Sequence, residues 1–199
     1  MKHIKVCLFY LLILLAAEVS SSPVGAVFIP QNQFDDVEFL ITTGLLDSAG
    51  ITYYVFSETS DTCFGATGFN TLPFTSLDSV SRYPMDFLIL NGGIGISYTV
   101  DNNTLQDVII KADSLKIPIV ASNFAPILFM KSGILKGREI NFVRNSTTQE
   151  LVEKYNIKYK SEPIVISENL ITSPSASYVR YYIKELIWRL DENARSKGE

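Results

Sequence analysis

Apolar and polar positions along the chain follow two alternating rhythms. Short runs that are apolar almost throughout, at residues 24–29 (VGAVFI), 51–56 (ITYYVF), 86–90 (DFLIL) and 117–120 (IPIV), predict strands buried on both faces. Stretches of helical period separate them. Residues 34–49 put Val37, Leu40, Ile41 and Leu45 on one face, with Gly50 as a stop. Asp35, Asp36 and Glu38 fall in the first turn of that helix, where the dipole favours negative charge. Residues 103–116 turn Leu105, Val108, Ile109, Ala112 and Leu115 inward, and residues 175–190 do so with Val179, Tyr182, Ile183 and Leu186. A short helix is expected over 147–155, and strands over 139–143, 163–166 and 170–172. The polar stretch 57–77 has room for a hairpin around 66–72, residues 30–33 read as a turn, and 191–199 as a frayed polar tail.

Strands alternating with helices predict a single α/β domain over residues 22–190, with a mostly parallel central sheet covered by helices on both faces. Pro30, Asn91 and Ser122 each end a predicted strand, so the loops they begin share the carboxyl edge of the sheet, where such folds place their sites.

The stretch 117–133 (IPIVASNFAPILFMKSG) is the most informative. A strand stops at Ala121-Ser122-Asn123 and a helical pattern starts at Ala125-Pro126, with proline where a first helical turn tolerates it. Strand, sharp turn and helix make the form of a nucleophile elbow. Ala121 and Ala125 flank the tip at minus two and plus two, as the close approach of strand and helix demands. The tip is Asn123, which tolerates a strained backbone but is not a usual nucleophile.

Composition narrows the class. Of 199 residues, 47% are hydrophobic and 19% charged, which excludes a disordered chain. The net charge of −4 and the lack of a dense basic run argue against a nucleic-acid partner; Lys154, Lys158 and Lys160 read as a solvated face. Residues 1–21 have a basic start and an apolar run over 6–17, followed by small residues. This is the pattern of a signal peptide, cleaved between 17 and 22, and implies a secreted or secretory-lumen protein with no membrane span after cleavage. Cleavage would remove His3, the one histidine, and Cys7, leaving Cys63 as a structural or idle thiol. Asn102-Asn103-Thr104 and Asn145-Ser146-Thr147 are candidate glycosylation sequons. No cofactor or metal motif is present. The aromatic tract Tyr53, Tyr54, Phe56, Phe64, Phe69 and Phe74 is expected in the core.

Four stretches in order carry a family resemblance: Phe34-Asp-Asp-Val-Glu38, Asp86-Phe-Leu-Ile-Leu-Asn-Gly-Gly93, Ile119-Val-Ala-Ser-Asn-Phe-Ala-Pro126 and Gly133-Ile-Leu-Lys-Gly-Arg138. Together they resemble the DJ-1/PfpI family over about residues 24–190. The resemblance implies a flavodoxin-like three-layer sandwich of the class I glutamine amidotransferase-like kind. It implies that Glu38 points into the site, that the Gly92 and Gly93 amides face the elbow tip, and that the protein forms a homodimer. The departures bear on function. Asn123 stands where the family elbow, usually Ala-x-Cys-x-x-Pro, has its cysteine; Phe124 stands where several members have histidine; and the arginine of a Ser-Arg-x-Pro-Gly-like loop gives way to Ser173 or Pro174. Peptidase-type, glyoxalase or deglycase-type and peroxide-sensing activities, which need the thiolate, therefore do not carry over. The expected function is that of a secreted pseudoenzyme, a non-catalytic binding or interaction protein for a small polar ligand or a protein. Its degenerate site would comprise Glu38, Asn123, Gly92, Gly93 and Phe124. The alternative is an enzyme with lyase- or hydratase-like, non-thiol chemistry, in which Glu38 is the general acid/base and the glycine amides stabilise an oxyanion. In the first case Glu38 bonds the Asn123 amide or simply complements its helix N-terminus.

Overall fold

The apolar runs become the centre of the sheet because they can be covered on both sides. The computed structural model describes residues 22–197; the expected leader at 1–21, with His3 and Cys7, lies outside the described residues. β1 (Val24–Phe28) pairs in parallel with β3 (Thr52–Ser57) on one side and β7 (Phe87–Leu90) on the other. β7 pairs with β8 (Ile119–Ser122), and β8 with β12 (Leu170–Ser173), again in parallel. β6 (Thr75–Ser76) closes one edge in parallel with β3, and β11 (Val165–Ser167) closes the other antiparallel to β12, giving a seven-stranded sheet in the order β11-β12-β8-β7-β1-β3-β6.

Alternation along each strand sends side chains to two separate cores. Phe28, Leu90 and Ala121 face the helices α2 (Leu77–Val80), α3 (Ile96–Thr99), α4 (Asn103–Ser114) and α5 (Ile127–Ser132). Val27, Ile89 and Val120 face α1 (Asp36–Ser48) and α7 (Val179–Lys197), which pack on each other. The result is the expected α/β sandwich with a mostly parallel sheet between helical layers. The chain runs from β1 to β3 and β6, then crosses back to β7 on the far side of β1. The strand order therefore reverses between β1 and β7, and their carboxyl ends open the crevice of such a sheet.

Several expectations need correction. The buried face of α1 is Glu38, Phe39, Thr42, Thr43 and Leu46, while Val37 and Leu40 are about half exposed, at 51% and 48%. Packing against the sheet and α7 centres on the stripe that carries Glu38, keeps Ile41 and Leu45 partly buried at its flank and leaves Val37 and Leu40 outside. Leu115 also faces solvent, at the C-cap of α4. α7 does not end at 190. No Gly or Pro interrupts residues 191–197, and the Ala, Arg and Lys there are strong helix formers.

Asn32 and Gln33, expected in a turn, and Phe34, expected to open the helix, form β2 (Asn32–Phe34), which pairs in parallel with β4 (Cys63–Gly65). β4 continues antiparallel into β5 (Asn70–Thr71), so the hairpin begins earlier than its composition suggests. Of the aromatic tract, Tyr54 and Phe56 are buried, whereas Phe64, Phe69 and Phe74 are exposed. The strand expected over 139–143 is only β9 (Glu139–Ile140), paired with β10 (Lys158–Tyr159). The residues after it are diverted to other partners: Asn141 N–H donates to Thr172 Oγ1 at 3.1 Å, and Val143 N–H to the Asn123 carbonyl at 3.0 Å.

Candidate functional site at the elbow

The site is built where α1, the β7 turn and the end of β8 meet. Asp35 caps α1, with extended backbone and its Oδ1 accepting the Glu38 N–H at 2.9 Å. Its own N–H donates to the Gly92 carbonyl at 2.9 Å, and Asn91 Nδ2 donates to the carbonyls of Asp35 (3.0 Å) and Gly92 (3.1 Å). The helix N-terminus is thus stitched to the turn after β7. Gly93 has φ +117, and a Cβ there would lie 2.5 Å from the Asp35 nitrogen, so the turn requires glycine twice over.

The elbow has the expected form. β8 ends at Ser122, and Asn123 takes φ +57, the left-handed conformation that asparagine tolerates. Its N–H donates to the Ser173 carbonyl and its carbonyl accepts from Val143 N–H, both at 3.0 Å, so the tip is held from two sides. A tight turn follows, with Ala125 N–H on the Ser122 carbonyl at 2.8 Å, and α5 begins at Ile127 with Pro126 as its N-cap rather than inside its first turn.

Glu38, Gly92 and Asn123 come together as expected. A Cβ on Gly92 would lie 2.7 Å from the Asn123 Cβ and 2.8 Å from Glu38 Oε2. Gly93 adjoins Asp35. Phe124 follows the tip, but its side chain packs against the hydrophobic core. Asn102 and Asn145 stand apart as the N-caps of α4 and α6 (Ser146–Lys154), each accepting through its side chain, from Leu105 N–H and Thr148 N–H respectively.

The hydrogen bonds differ from those expected. The Asn123 amide does not pair with Glu38; its Nδ2 donates to Asp35 Oδ2 at 3.4 Å. Glu38 Oε1 instead accepts the Gly92 N–H at 3.2 Å, so that amide is no longer available to an oxyanion. The Glu38 carboxyl is 1% exposed and its pKa is pushed up to about 7. Burial is the main cause; the Ser122 hydroxyl opposes it, the Asp35 charge adds to it, and the Gly92 N–H and Tyr182 phenol oppose it further. Ser122 and Tyr182 are both buried.

Sequence reading missed Asp35, Ser122 and Tyr182 as site residues. Asp35 carried a signal, since Asp-x-x-Glu at 35–38 is a helix N-terminal signature. Tyr182 carried none, because only the packing of α7 on α1 brings its phenol to Glu38. Cys63 lies in β4, fully buried; burial raises its thiol pKa and its Sγ–H faces the Asp61 carbonyl, as suits an idle thiol. Among the described residues, no three His, Cys, Asp or Glu side chains converge as a metal site.

Chemically, the site offers one acid that changes charge near neutrality and an amide at the tip with one donor already used. The backbone N–H groups of Gly93 and Phe124 make no hydrogen bond among the described residues.

The comparisons agree with this architecture. Protein dj-1beta of Drosophila melanogaster is 29% identical over 149 residues, covering 72% of this chain and 78% of its own. A deglycase of Pyrococcus horikoshii is 26% identical over 113 residues, covering 57% of this chain and 68% of its own. The crystal structure of a ThiJ/PfpI domain protein from Brachyspira murdochii superposes with a TM-score of 0.77 at 20% identity, over 86% of this chain and 98% of that one. The DJ-1/PfpI family profile matches residues 25–189. With the sheet order, the elbow and the α1 acid already in place, that match over most of the chain means that it belongs to the DJ-1/PfpI family.

Proposed function

We propose that this chain is an exported, non-catalytic member of its family that binds a small polar ligand or a protein partner at a degenerate elbow. The observation that carries the reading is the tie between Asn123 and Asp35. A side chain with no nucleophilic atom occupies the elbow tip, and its amide is anchored to a carboxylate. Gly92, which the enzymatic alternative needs as an oxyanion donor, already serves Glu38. At the partly exposed tip, the Asn123 amide oxygen and the Phe124 N–H offer an acceptor and a donor suited to a neutral polar group.

The leader pattern at 1–21 supports the export part of this reading. Glycans on Asn102 and Asn145 fit the two caps, because capping uses the amide oxygen and a glycan attaches at the nitrogen. A homodimer would cover the exposed apolar side chains on and beside α1: Val37, Leu40, Phe64 and Phe69.

One observation favours the alternative, an enzyme with lyase- or hydratase-like chemistry: an acid buried at the site titrates at about pH 7, the range a general acid/base needs. A screen of the mature protein separates the two, using methylglyoxal and small acyl substrates with native chain, Asn123→Cys and Glu38→Gln. The binding reading expects inert native protein and thiol-dependent turnover in Asn123→Cys. Turnover by the native chain that Glu38→Gln abolishes would overturn it.

A further inference from the structure

Behind the elbow, four oxygens from three elements are enclosed together. Glu38 Oε2 and Thr42 Oγ1 come from successive turns of α1, Ser122 Oγ from the end of β8, and Tyr182 Oη from α7. All four residues are buried, at 0% or 1% exposure. None of the four atoms completes a hydrogen bond in this structure. An orphaned polar atom in such a place carries a penalty of about 1–3 kcal/mol, and four side by side need a joint solution.

They are near enough to supply one. Ser122 and Tyr182 both act on the titration of Glu38, and Glu38, Ser122 and Thr42 all act on that of Tyr182. Hydroxyl protons rotate freely, and each hydroxyl both donates and accepts. A neutral Glu38 with Ser122, Thr42 and Tyr182 supplies four O–H donors for four acceptors, so small side-chain adjustments can satisfy the whole set. The other carboxyl oxygen, Oε1, is fixed by the Gly92 N–H. The proton of the neutral acid therefore belongs on Oε2, the oxygen left without a partner.

We propose that Tyr182, with Ser122 and Thr42, is a positioning residue of the site: the phenol and the two hydroxyls are the partners of the Glu38 proton. Tyr182 is then the acid's partner at an elbow whose tip, Asn123, has no nucleophilic atom to pair with it. The inference deepens the binding reading, since it treats Glu38 as a group that shapes the elbow and does not transfer its proton to a ligand. The ionisable groups facing Glu38 are Asp35 from its own helix and Tyr182 from α7; β8 and the β7 turn present only Ser122, Asn123 and Gly92. Asp36, the other acid in that helical turn, is turned to the hairpin, with its Oδ2 accepting from the Thr67 N–H, the Thr67 hydroxyl and the Phe69 N–H.

Carbon NMR of protein labelled at Glu and Tyr tests this without ligand or turnover, so its outcome is separate from that of the binding screen. The Glu38 Cδ and Tyr182 Cζ resonances are followed from acid through neutral to alkaline pH. The expected result is that both move with one midpoint, because the phenol changes from accepting a proton to donating one when the carboxyl ionises. Tyr182→Phe should raise the Glu38 midpoint, since a donor to the carboxylate is lost, and Ser122→Ala should raise it too. A Tyr182 resonance that stays still through the Glu38 transition overturns the proposal. So does a Glu38 midpoint unmoved by Tyr182→Phe; if that variant does not fold, the coincidence of midpoints in the native chain decides alone.

Discussion

Asp35 serves Asn123 and Glu38 with its two carboxylate oxygens. Oδ2 accepts from the Asn123 amide at 3.4 Å, and Oδ1 accepts the Glu38 N–H at 2.9 Å. One side chain therefore couples the elbow tip to the helix that carries the buried acid. It also raises the Glu38 pKa through its charge. Nothing in the chemistry of the tip alone would single out Asp35, yet it touches both residues on which the functional reading turns.

Replacing Asp35 separates its roles. Asp35→Ala removes the cap and should lower stability by about 1 kcal/mol, measured as a shift in urea midpoint. Asp35→Asn keeps a capping oxygen and should lower it less. Asp35→Asn also removes a negative charge near Glu38, so the Glu38 titration midpoint should fall. An unchanged or higher midpoint would mean that the Asp35 charge is not felt at the acid.

Two glycines on either side of the site should respond oppositely to the same change. A Cβ at Gly92 meets the Asn123 Cβ at 2.7 Å, Glu38 Oε2 at 2.8 Å and the Ser122 carbonyl at 3.0 Å, so Gly92→Ala is an overpacking substitution. It should destabilise by about 1–3 kcal/mol and disturb the resonances of Glu38 and Asn123. Gly44, in the middle of α1, has nothing within 4 Å of such a Cβ. Gly44→Ala should stabilise by roughly 0.5–1 kcal/mol through helix propensity, leaving the elbow resonances in place. Thermal melts of both variants beside the native chain decide the signs.

What the sequence disclosed follows from how many neighbours each element needs. The central strands β1, β7 and β8 were legible because burial on both faces leaves an unbroken apolar run, and the elbow because small residues must flank its tip. β2, β6 and β10 were not, and β9 was legible only as a longer strand, since pairings of two or three residues leave little periodicity to read. The inner face of α1 was misread for a more specific reason: Glu38 and Thr42 are buried there, and polar residues on a buried stripe oppose the hydrophobic pattern. The same feature hid Tyr182, which reads as one more inward aromatic of α7 until the fold sets it over Glu38. The motifs foresaw that Glu38, Gly92 and Asn123 adjoin, but not how their hydrogen bonds are distributed.

The apolar stripe that α1 turns outward yields a prediction about assembly. Val37 and Leu40 are exposed in the single chain, and Phe64 on the neighbouring hairpin is 49% exposed. If two copies meet there, Val37→Lys with Leu40→Lys should convert a dimer to a monomer by light scattering, with little change in the stability of the isolated chain. A native protein that is already monomeric at high concentration would show that these side chains do not form a self-interface.

The buried acid should also set how stability depends on pH. An ordinary glutamate has a pKa near the reference value of 4.5, and Glu38 in the folded chain titrates at about 7. Between these values the native state holds a proton that the unfolded chain has released. Stability must then fall as pH rises through that window, since the slope follows protons bound in the unfolded state minus those bound in the native state. The contribution is fully present below the unfolded pKa and is lost above the folded one. The difference across the window is on the order of 3 kcal/mol, taking about 1.4 kcal/mol for each pH unit of separation. Glu38→Gln is the decisive variant. Its amide oxygen can still accept the Gly92 N–H, and its nitrogen can donate towards Ser122, Thr42 and Tyr182, so it imitates the neutral acid at every pH. Urea unfolding from mildly acid to mildly alkaline conditions should show native stability declining while Glu38→Gln stays flatter. The variant should also overtake the native chain on the alkaline side. Parallel curves for the two proteins would mean that Glu38 does not carry a proton into neutral pH, and the pairing of that proton with Tyr182 would lose its physical basis.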